Sequence, residues 1–252
     1  MGIGGGAVGL FAAAARIKKM INTPKIYKMR IEFRLVQEVP ADSKHVLNAV
    51  RNMILASGLP FTPAQVNNRW PRFAYGPAPA TGQRAEREYV DIYLRESCSE
   101  ETVRQALVQV APEGLEILHV RRVPYALPSV QKLAAAASYR VYGDASQLAE
   151  LGRKLQESMQ AKSLVVNLRN PDGELRQKEL APGLQAVCCV APDEVELILV
   201  PLSGLWVLPQ WYVAAALGVE VPTQDEKFFI AGLSFVRKTI FWRDSQGELH
   251  PI

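Results

Sequence analysis

The 252-residue chain is 48% apolar and 21% charged, a composition typical of globular domains and not of disordered tails. Its net charge of +4 is uneven, because residues 1–28 carry five basic side chains and no acidic one. The rest of the chain is therefore close to neutral, which weakens any argument for nucleic-acid binding that rests on bulk charge. Three cysteines, two of them adjacent, do not form a disulfide framework, so we expect a reducing, cytoplasmic location.

Residues 1–28 are predicted to be a flexible basic extension or to precede the true start of translation. Three glycines within residues 4–9 have the G-x-G-x-x-G spacing of dinucleotide sites. No strand can precede them, and the motif needs one, so we expect no cofactor. The apolar run at residues 7–15 is about half of the ~20 residues that a membrane-spanning helix needs, so we expect no membrane association.

The hydrophobic pattern of residues 29–130 predicts the element order β-α-β-β-α-β, which is the ferredoxin-like arrangement. The predicted strands are residues 31–35, 73–75, 89–94 and 115–123, and the two helices contain Val46 and Val103. Gly58 ends the first helix, and Ser97 and Glu100 have the capping-box spacing that begins the second. Residues 61–86 are rich in Pro, Gly, Asn and Ala and predict a long loop that contains the short second strand.

The second half, residues 131–252, repeats this element order without a residue-level repeat. Strands are predicted at residues 139–142, 164–168, 174–180, 184–190, 195–200 and 233–242, with helices at 148–159 and 211–217. Pro209 suits a first helical residue, and Gly218 closes the last helix. The predicted fold class is therefore α+β, with two ferredoxin-like halves, antiparallel sheets and one extra hairpin in the second half.

The segment 67–75 alternates two arginines with three aromatic residues inside the long loop. Guanidinium groups pair with phosphates and aromatic rings stack on bases, so this pattern is typical of RNA binding. The alternative is a loop whose aromatic rings fold onto the sheet while the arginines stay solvated. The candidate binding residues are Arg69, Trp70, Arg72, Phe73, Tyr75, Arg84 and Arg87. The acidic residues Glu86, Glu88 and Asp91 are expected to cancel part of this positive patch.

Catalytic constellations have weaker support in the sequence. His45 follows Asp42 and Ser43, but capping of the first helix explains these residues without chemistry. Glu86 and Glu88 are the one carboxylate pair that shares a strand face, and we interpret them as solvated edge charges. The sequence leaves enzymatic activity open, and we predict no catalytic site of the chain's own.

Metal-binding patterns are equally weak. Cys188 and Cys189 fall in a predicted strand and point to opposite faces, so they cannot readily share one metal ion. We interpret them as one buried and one half-exposed cysteine. The histidines have no second ligand at i+3 or i+4, so we predict no metal site.

Eight short motifs are distributed over residues 29–252. They are Met29-Arg30-Ile-Glu-Phe33, Gly58-Leu59-Pro60, Pro71-Arg72-Phe73, Glu88-Tyr89-Val-Asp91-Ile92, Pro112-Glu113-Gly114-Leu115, Asp172-Gly173, Arg237-Lys238-Thr239 and Gly247-Glu248-Leu249. Together they resemble a bacterial family of unknown function that is often fused to, or encoded beside, cobalamin-binding radical SAM proteins.

The resemblance implies a non-catalytic accessory protein that presents substrate to a radical SAM enzyme. The alternative, which rests on the arginine-aromatic loop, is a module that binds structured RNA during RNA modification or processing. The chain lacks Cys-x₃-Cys-x₂-Cys, so we expect no radical SAM cluster of the usual kind in it.

The chain departs from the family's usual pattern at three places. Residues 41–45 replace Ser-His-Leu-Asp, and residues 68–71, Asn-Arg-Trp-Pro, replace Gly-Phe-Asn-Pro. Residues 179–182, Glu-Leu-Ala-Pro, lack the arginine of the family's acidic-Leu-Arg-Pro motif. These departures indicate a divergent or specialised member.

Overall fold

A computed structural model describes residues 25–36, 43–77, 83–169, 174–221 and 232–252. Within these residues the protein has eleven β-strands and five α-helices, a mixed α+β structure. Nine strands form one sheet and two form a separate hairpin. No described helix is both long and apolar enough to cross a membrane. The predictions for residues 1–24 lie outside the described residues.

The first half supplies four strands of the large sheet. Its elements are β1 (Tyr27–Leu35), α1 (Ser43–Ala56), β2 (Phe73–Tyr75), β3 (Arg84–Leu94), α2 (Glu100–Val108) and β4 (Leu115–Val123). Strand β1 pairs antiparallel with β3 and β4, and β2 pairs antiparallel with the end of β3. Apolar residues such as Ile31, Val50, Ile92 and Leu107 form one buried core between the strands and the two helices.

The second half adds the remaining strands. Its elements are α3 (Val130–Leu133), β5 (Ala136–Tyr142), α4 (Ala145–Ala161), β6 (Val165–Arg169), β7 (Leu175–Glu179), a 3-10 turn (Ala181–Gly183), β8 (Leu184–Ala191), β9 (Glu194–Leu199), α5 (Pro209–Leu217), β10 (Ser234–Arg243) and β11 (Leu249–Pro251). Strands β10, β5, β9 and β8 are antiparallel neighbours in that order. Strands β6 and β7 form the separate hairpin. Leu151, Leu155, Leu197 and Val213 belong to the second buried core.

Local signals in the sequence are confirmed at several element ends. Strands β2 and β4 have the predicted bounds, Pro209 begins α5, and Gly218 ends it with φ +71°. The predicted capping box is wrong in position, because Ser99 and not Ser97 caps α2. The Ser99 side chain accepts a hydrogen bond from the backbone N of Thr102 at 3.0 Å. The Asp172-Gly173 motif lies outside the described residues.

The two halves share the sheet through a short parallel contact. Strand β10 pairs with the beginning of β3 at Val236 and Arg237, opposite Arg84 and Ala85. Every other strand pair of the described structure is antiparallel, as predicted. The division into 29–130 and 131–252 stays a prediction, because the sheet continues across it.

A buried ion pair reinforces this contact between the halves. The Nε atom of Arg237 donates to Oε1 of Glu88 at 2.5 Å, and both side chains are essentially inaccessible to solvent. The hydroxyl of Tyr75 donates to Oε2 of Glu88 at 3.3 Å. Burial raises the pKa of Tyr75 well above its usual value, so this hydroxyl stays a donor. The interpretation of Glu88 as a solvated edge charge is therefore wrong.

We predict that Glu88→Ala lowers the free energy of unfolding by about 3–5 kcal/mol, because it leaves the Arg237 guanidinium buried without its carboxylate. The matched control is Glu116→Ala, which breaks the surface pair between Arg34 and Glu116, both 48% exposed. That change is expected to cost less than about 1 kcal/mol. Urea denaturation measures both variants, and equal losses would contradict a role of the buried pair in joining the halves.

Candidate functional site

Three segments of the first half meet at one end of its sheet. Lys28 at the start of β1 lies opposite Tyr93 near the end of β3 and Val123 at the end of β4. The loop after α1 returns to the same end, because the backbone N of Thr62 donates to the carbonyl of Tyr93 at 2.6 Å. We call the basic and aromatic residues at this end the arginine-aromatic surface. Its members are Lys25, Tyr27, Arg51, Trp70, Arg72, Tyr93, Arg122 and Tyr125.

Arg72 lies at the centre of the first stack. Its guanidinium carbon is 4.2 Å from the ring centre of Tyr93 and 5.8 Å from that of Tyr125. Nη1 of Arg72 also donates to the Tyr125 hydroxyl at 3.3 Å. The two tyrosine rings meet edge to face at 6.2 Å, and Tyr125 is 51% exposed. These contacts orient the Arg72 guanidinium and the two tyrosine rings, and the exposed Tyr125 ring makes the stack accessible from solvent.

A second stack joins α1 to the loop. The guanidinium carbon of Arg51 lies 4.2 Å from the ring centre of Trp70, which is 40% exposed. Nη1 of Arg51 donates to the side-chain oxygen of Asn48 at 2.9 Å. The loop is held in place because the Asn67 side-chain oxygen accepts the backbone N–H of Arg69 at 2.9 Å, and the Asn67 backbone carbonyl accepts that of Trp70 at 3.0 Å. Asn67 thus forms the turn that presents Trp70 with both its side chain and its backbone.

A third stack lies at the start of β1. The Tyr27 ring has the guanidinium of Arg122 at 4.4 Å and the ammonium of Lys25 at 5.6 Å. Nη1 of Arg122 donates to the Ser97 hydroxyl at 3.3 Å, and its backbone N donates to Glu100 at 2.7 Å. Cations over aromatic faces thus recur in three places at this end of the sheet.

Behind the first stack, Asp91 fixes the segment that carries Tyr125. The Asp91 carboxylate is fully buried and accepts from Arg30 at 2.8 and 3.1 Å. It also accepts the backbone N of Val130, the first residue of α3, at 2.9 Å. The Lys28 ammonium donates to the carbonyl of Leu127. The segment after β4 is therefore tied across the sheet, and Tyr125 is held beside Tyr93.

The acidic residues of β3 do not cancel the positive surface. Glu86 pairs with Lys238, Glu88 with Arg237, and Asp91 with Arg30. The expectation of partial cancellation is wrong because each carboxylate has a cation of its own. Among the residues that the structure describes, neither Arg51 nor Arg72 forms an ion pair with a carboxylate. Within the described part of the chain, their charge is therefore not neutralised by an ion pair.

A pocket of about 350 Å³ opens between the first and second stacks. Its described lining residues are Arg51, Ala64, Gln65, Val66, Trp70, Pro71, Arg72 and Phe73. Arg51 and Arg72 thus both line one open concave surface, which also has aromatic and apolar walls. This combination of few polar groups and apolar walls is usual for ligand sites.

The structure divides the predicted binding residues into three groups. Trp70, Arg72 and Phe73 line the pocket, and Arg69 is exposed in the same loop but is not among the described lining residues. Tyr75 is buried against Glu88, so it cannot stack on a ligand at this surface. The remaining two residues, at positions 84 and 87, lie towards the opposite end of β3, roughly 30 Å and 20 Å from Tyr93 along the strand.

Six residues of the surface escaped the sequence prediction: Lys25, Tyr27, Arg51, Tyr93, Arg122 and Tyr125. Arg51 follows Val50 on α1 and lies off its apolar stripe, which is the signal that could have marked it. The others lie in β1, β3 and β4 or in the segments next to β1 and β4, and the strand register brings these elements together. The spacing of residues along the sequence does not predict which residues of neighbouring strands lie opposite each other.

Metal-ligand geometry is absent within the described part of the chain, where no three His, Cys, Asp or Glu side chains form a group that could hold an ion. Cys188 and Cys189 are both exposed, so the interpretation of one as buried is wrong. The side chain of His45 lies outside what the structure describes.

Residues 45–203 match the family described as an uncharacterized protein conserved in bacteria (DUF2344). The chain belongs to this family. The matched stretch contains every described lining residue of the pocket and the Tyr93–Tyr125 pair, and it ends before β10, so Arg237 lies outside it. No curated protein matches the sequence.

Glu179, in the segment without the expected arginine, has a local structural role. Its Oε1 accepts the backbone N of Leu164 at 2.6 Å and that of Ala181 at 2.9 Å, and its Oε2 accepts the Ser163 hydroxyl at 3.0 Å. The N–H groups of Ala181 and then Leu164 lower the pKa of Glu179 below its usual value. The carboxylate thus fastens β7 to the beginning of β6.

We predict that Glu179→Gln lowers the free energy of unfolding at pH 7 by less than about 1 kcal/mol, because this carboxylate is mostly exposed. A lowered folded-state pKa stabilises the fold above the usual value of 4.5 and stops doing so as the pH falls through the folded-state pKa. The difference from the unmodified protein should therefore shrink below about pH 4.5 in urea titrations. Glu174→Gln, an exposed neighbour, is the control. A difference that stays constant down to pH 3 would contradict the assigned contacts.

Proposed function

We propose that this protein is an RNA-binding module that acts in RNA modification or processing in the cytoplasm. The observation that carries the proposal is the pair of stacked arginines, Arg51 and Arg72, on two walls of one pocket. A guanidinium that lies flat on an aromatic ring keeps its N–H edge free for phosphate oxygens. Exposed rings such as Trp70 and Tyr125 offer faces for unpaired bases. Single-stranded segments of a structured RNA provide both groups together.

The strand orders support the finer fold assignment that goes with this function. The orders β4-β1-β3-β2 and β10-β5-β9-β8, each with antiparallel neighbours, are those of a ferredoxin-like half. Sheets of this kind in RNA-recognition modules stack bases on aromatic side chains. In this protein the buried Arg30–Asp91 pair occupies the face of the first-half sheet behind the stacks, so that face does not offer bases a stacking surface. We therefore place RNA at the end of the sheet.

A second role is compatible with the first. The resemblance to the radical-SAM-linked family supports a non-catalytic accessory protein that presents its bound RNA to a radical SAM enzyme. A separate surface favours a protein partner, because Leu205 is 66% exposed and Leu208 is 40% exposed in the loop before α5. These leucines belong to the second half and share no residue with the arginine-aromatic surface.

We predict that Arg72→Ala weakens RNA binding about tenfold or more, because it removes a charge-assisted phosphate contact and a stacking partner. Fluorescence anisotropy with a labelled stem-loop RNA measures the affinity at several salt concentrations. The matched control is Arg84→Ala, an exposed arginine at the far end of β3 with the same loss of charge. It is expected to leave the affinity within about twofold.

The salt dependence gives an independent check on the same experiment. Phosphate contacts release counterions, so the affinity of the unmodified protein should fall linearly with salt on logarithmic axes. The slope should become shallower by about one unit in the Arg72 variant. Binding that does not weaken with added salt would contradict recognition through phosphates.

The accessory role has its own experiment. An affinity purification from the native host is divided into ribonuclease-treated and untreated samples, and both proteins and nucleic acids are identified. Recovery of a radical SAM enzyme from both samples would support a direct partnership. Loss of that enzyme after ribonuclease treatment would show that RNA alone connects the two proteins.

A further inference from the structure

The pocket between the stacks has an unbalanced charge. Arg51 and Arg72 each contribute one positive charge, and the other six described lining residues are uncharged. The carboxylates of β3 are already neutralised by partners elsewhere, as described above. A ligand that fills the pocket therefore meets two guanidinium groups and no described acidic group.

We propose that this pocket binds the terminal phosphomonoester of an RNA strand, so that the protein recognises RNA ends. This inference rests on the proposed RNA-binding function and deepens it by naming the chemical group that is recognised. An internal phosphodiester has one negative charge. A phosphomonoester has about 1.5 to 2 negative charges at pH 7, because its second pKa is about 6. The terminal group thus matches the two guanidinium groups more closely.

Both guanidinium groups are oriented before a ligand arrives. Arg51 is held by the Trp70 ring and by Asn48, and Arg72 is held by the Tyr93 ring and by Tyr125. A site whose side chains are already ordered loses less conformational entropy on binding. Each group still has unused N–H donors, because a guanidinium carries five and the described contacts use one.

The size and walls of the pocket suit one nucleotide. A volume of about 350 Å³ is at the lower end of the range for small-molecule sites. Trp70 and Phe73 provide an aromatic wall for the base or sugar that follows the phosphate. Arg72 also faces Tyr93 and Tyr125, so the next nucleotide would pass over the first stack. The exposed Val66, at 88%, lies in the open part of the lining.

The experiment compares three forms of one single-stranded RNA of about twelve nucleotides, a length that covers this site and its neighbours. One form has a 5′-phosphate, one has a 3′-phosphate, and one has hydroxyl groups at both ends, each with the same internal fluorophore. We expect one phosphorylated form to bind the full chain about tenfold more tightly than the hydroxyl form at pH 7.5. The advantage should shrink below about pH 6, where the phosphate loses its second charge.

Two arginine variants locate the effect. Arg51→Ala is expected to abolish the advantage of the phosphorylated RNA while the hydroxyl form still binds. Arg69→Ala removes an equal charge from the loop that carries Trp70, outside the described lining, and should keep the advantage. Arg51→Lys retains the positive charge and should keep part of the affinity advantage of the phosphorylated RNA. Thermal melts show whether each variant is folded.

The outcomes separate this inference from the proposed function. Equal affinity for all three RNAs would overturn recognition of RNA ends and leave RNA binding intact. No binding of any RNA would overturn both. A free nucleoside monophosphate that binds as tightly as the phosphorylated RNA would show that the pocket serves nucleotides instead of RNA ends. A phosphate advantage that survives Arg51→Ala would show that the pocket is not the site.

Discussion

Strand β3 buries two carboxylates, Glu88 and Asp91, and the arrangement of the molecule follows from how each is neutralised. A charged carboxylate in the interior is stable only when a cation and hydrogen-bond donors surround it. Glu88 is neutralised by Arg237 of the second half, which joins the halves at a place where β3 and β10 share only two residue pairs. Asp91 is neutralised by Arg30 of the neighbouring strand β1.

The second of these pairs also builds the candidate site. Asp91 accepts the first backbone N–H of α3, and Lys28 and Arg30 donate to carbonyl groups just before it. The chain after β4 is thereby drawn across the sheet, and Tyr125 comes to lie beside Tyr93 and under Arg72. The arginines at the surface are left without acidic partners among the described residues, since those of β3 are already paired. Interior electrostatics thus determine which charges the surface presents.

The sequence predicted those features that depend on neighbouring residues. The bounds of β2 and β4, the start of α5 and the arginine-aromatic loop follow from local alternation, a proline and a dense motif. The burial of Glu88 could not be predicted, because its partner Arg237 is 149 residues away. For the same reason Tyr93 and Tyr125 gave no sign of the site, since strand register and the Asp91 contacts bring them to Arg72. Tyr75 looked like part of the loop, but its strand turns it inwards to Glu88.

Photo-crosslinking of 4-thiouridine RNA to the full chain, followed by mass spectrometry of the linked peptides, tests the central claim most directly. Our account predicts crosslinks in the peptides that contain Trp70, Tyr93 and Tyr125, which come from three segments that only the folded sheet brings together. Crosslinks confined to residues 131–252 would contradict it, because the arginine-aromatic surface would then not be where RNA lies.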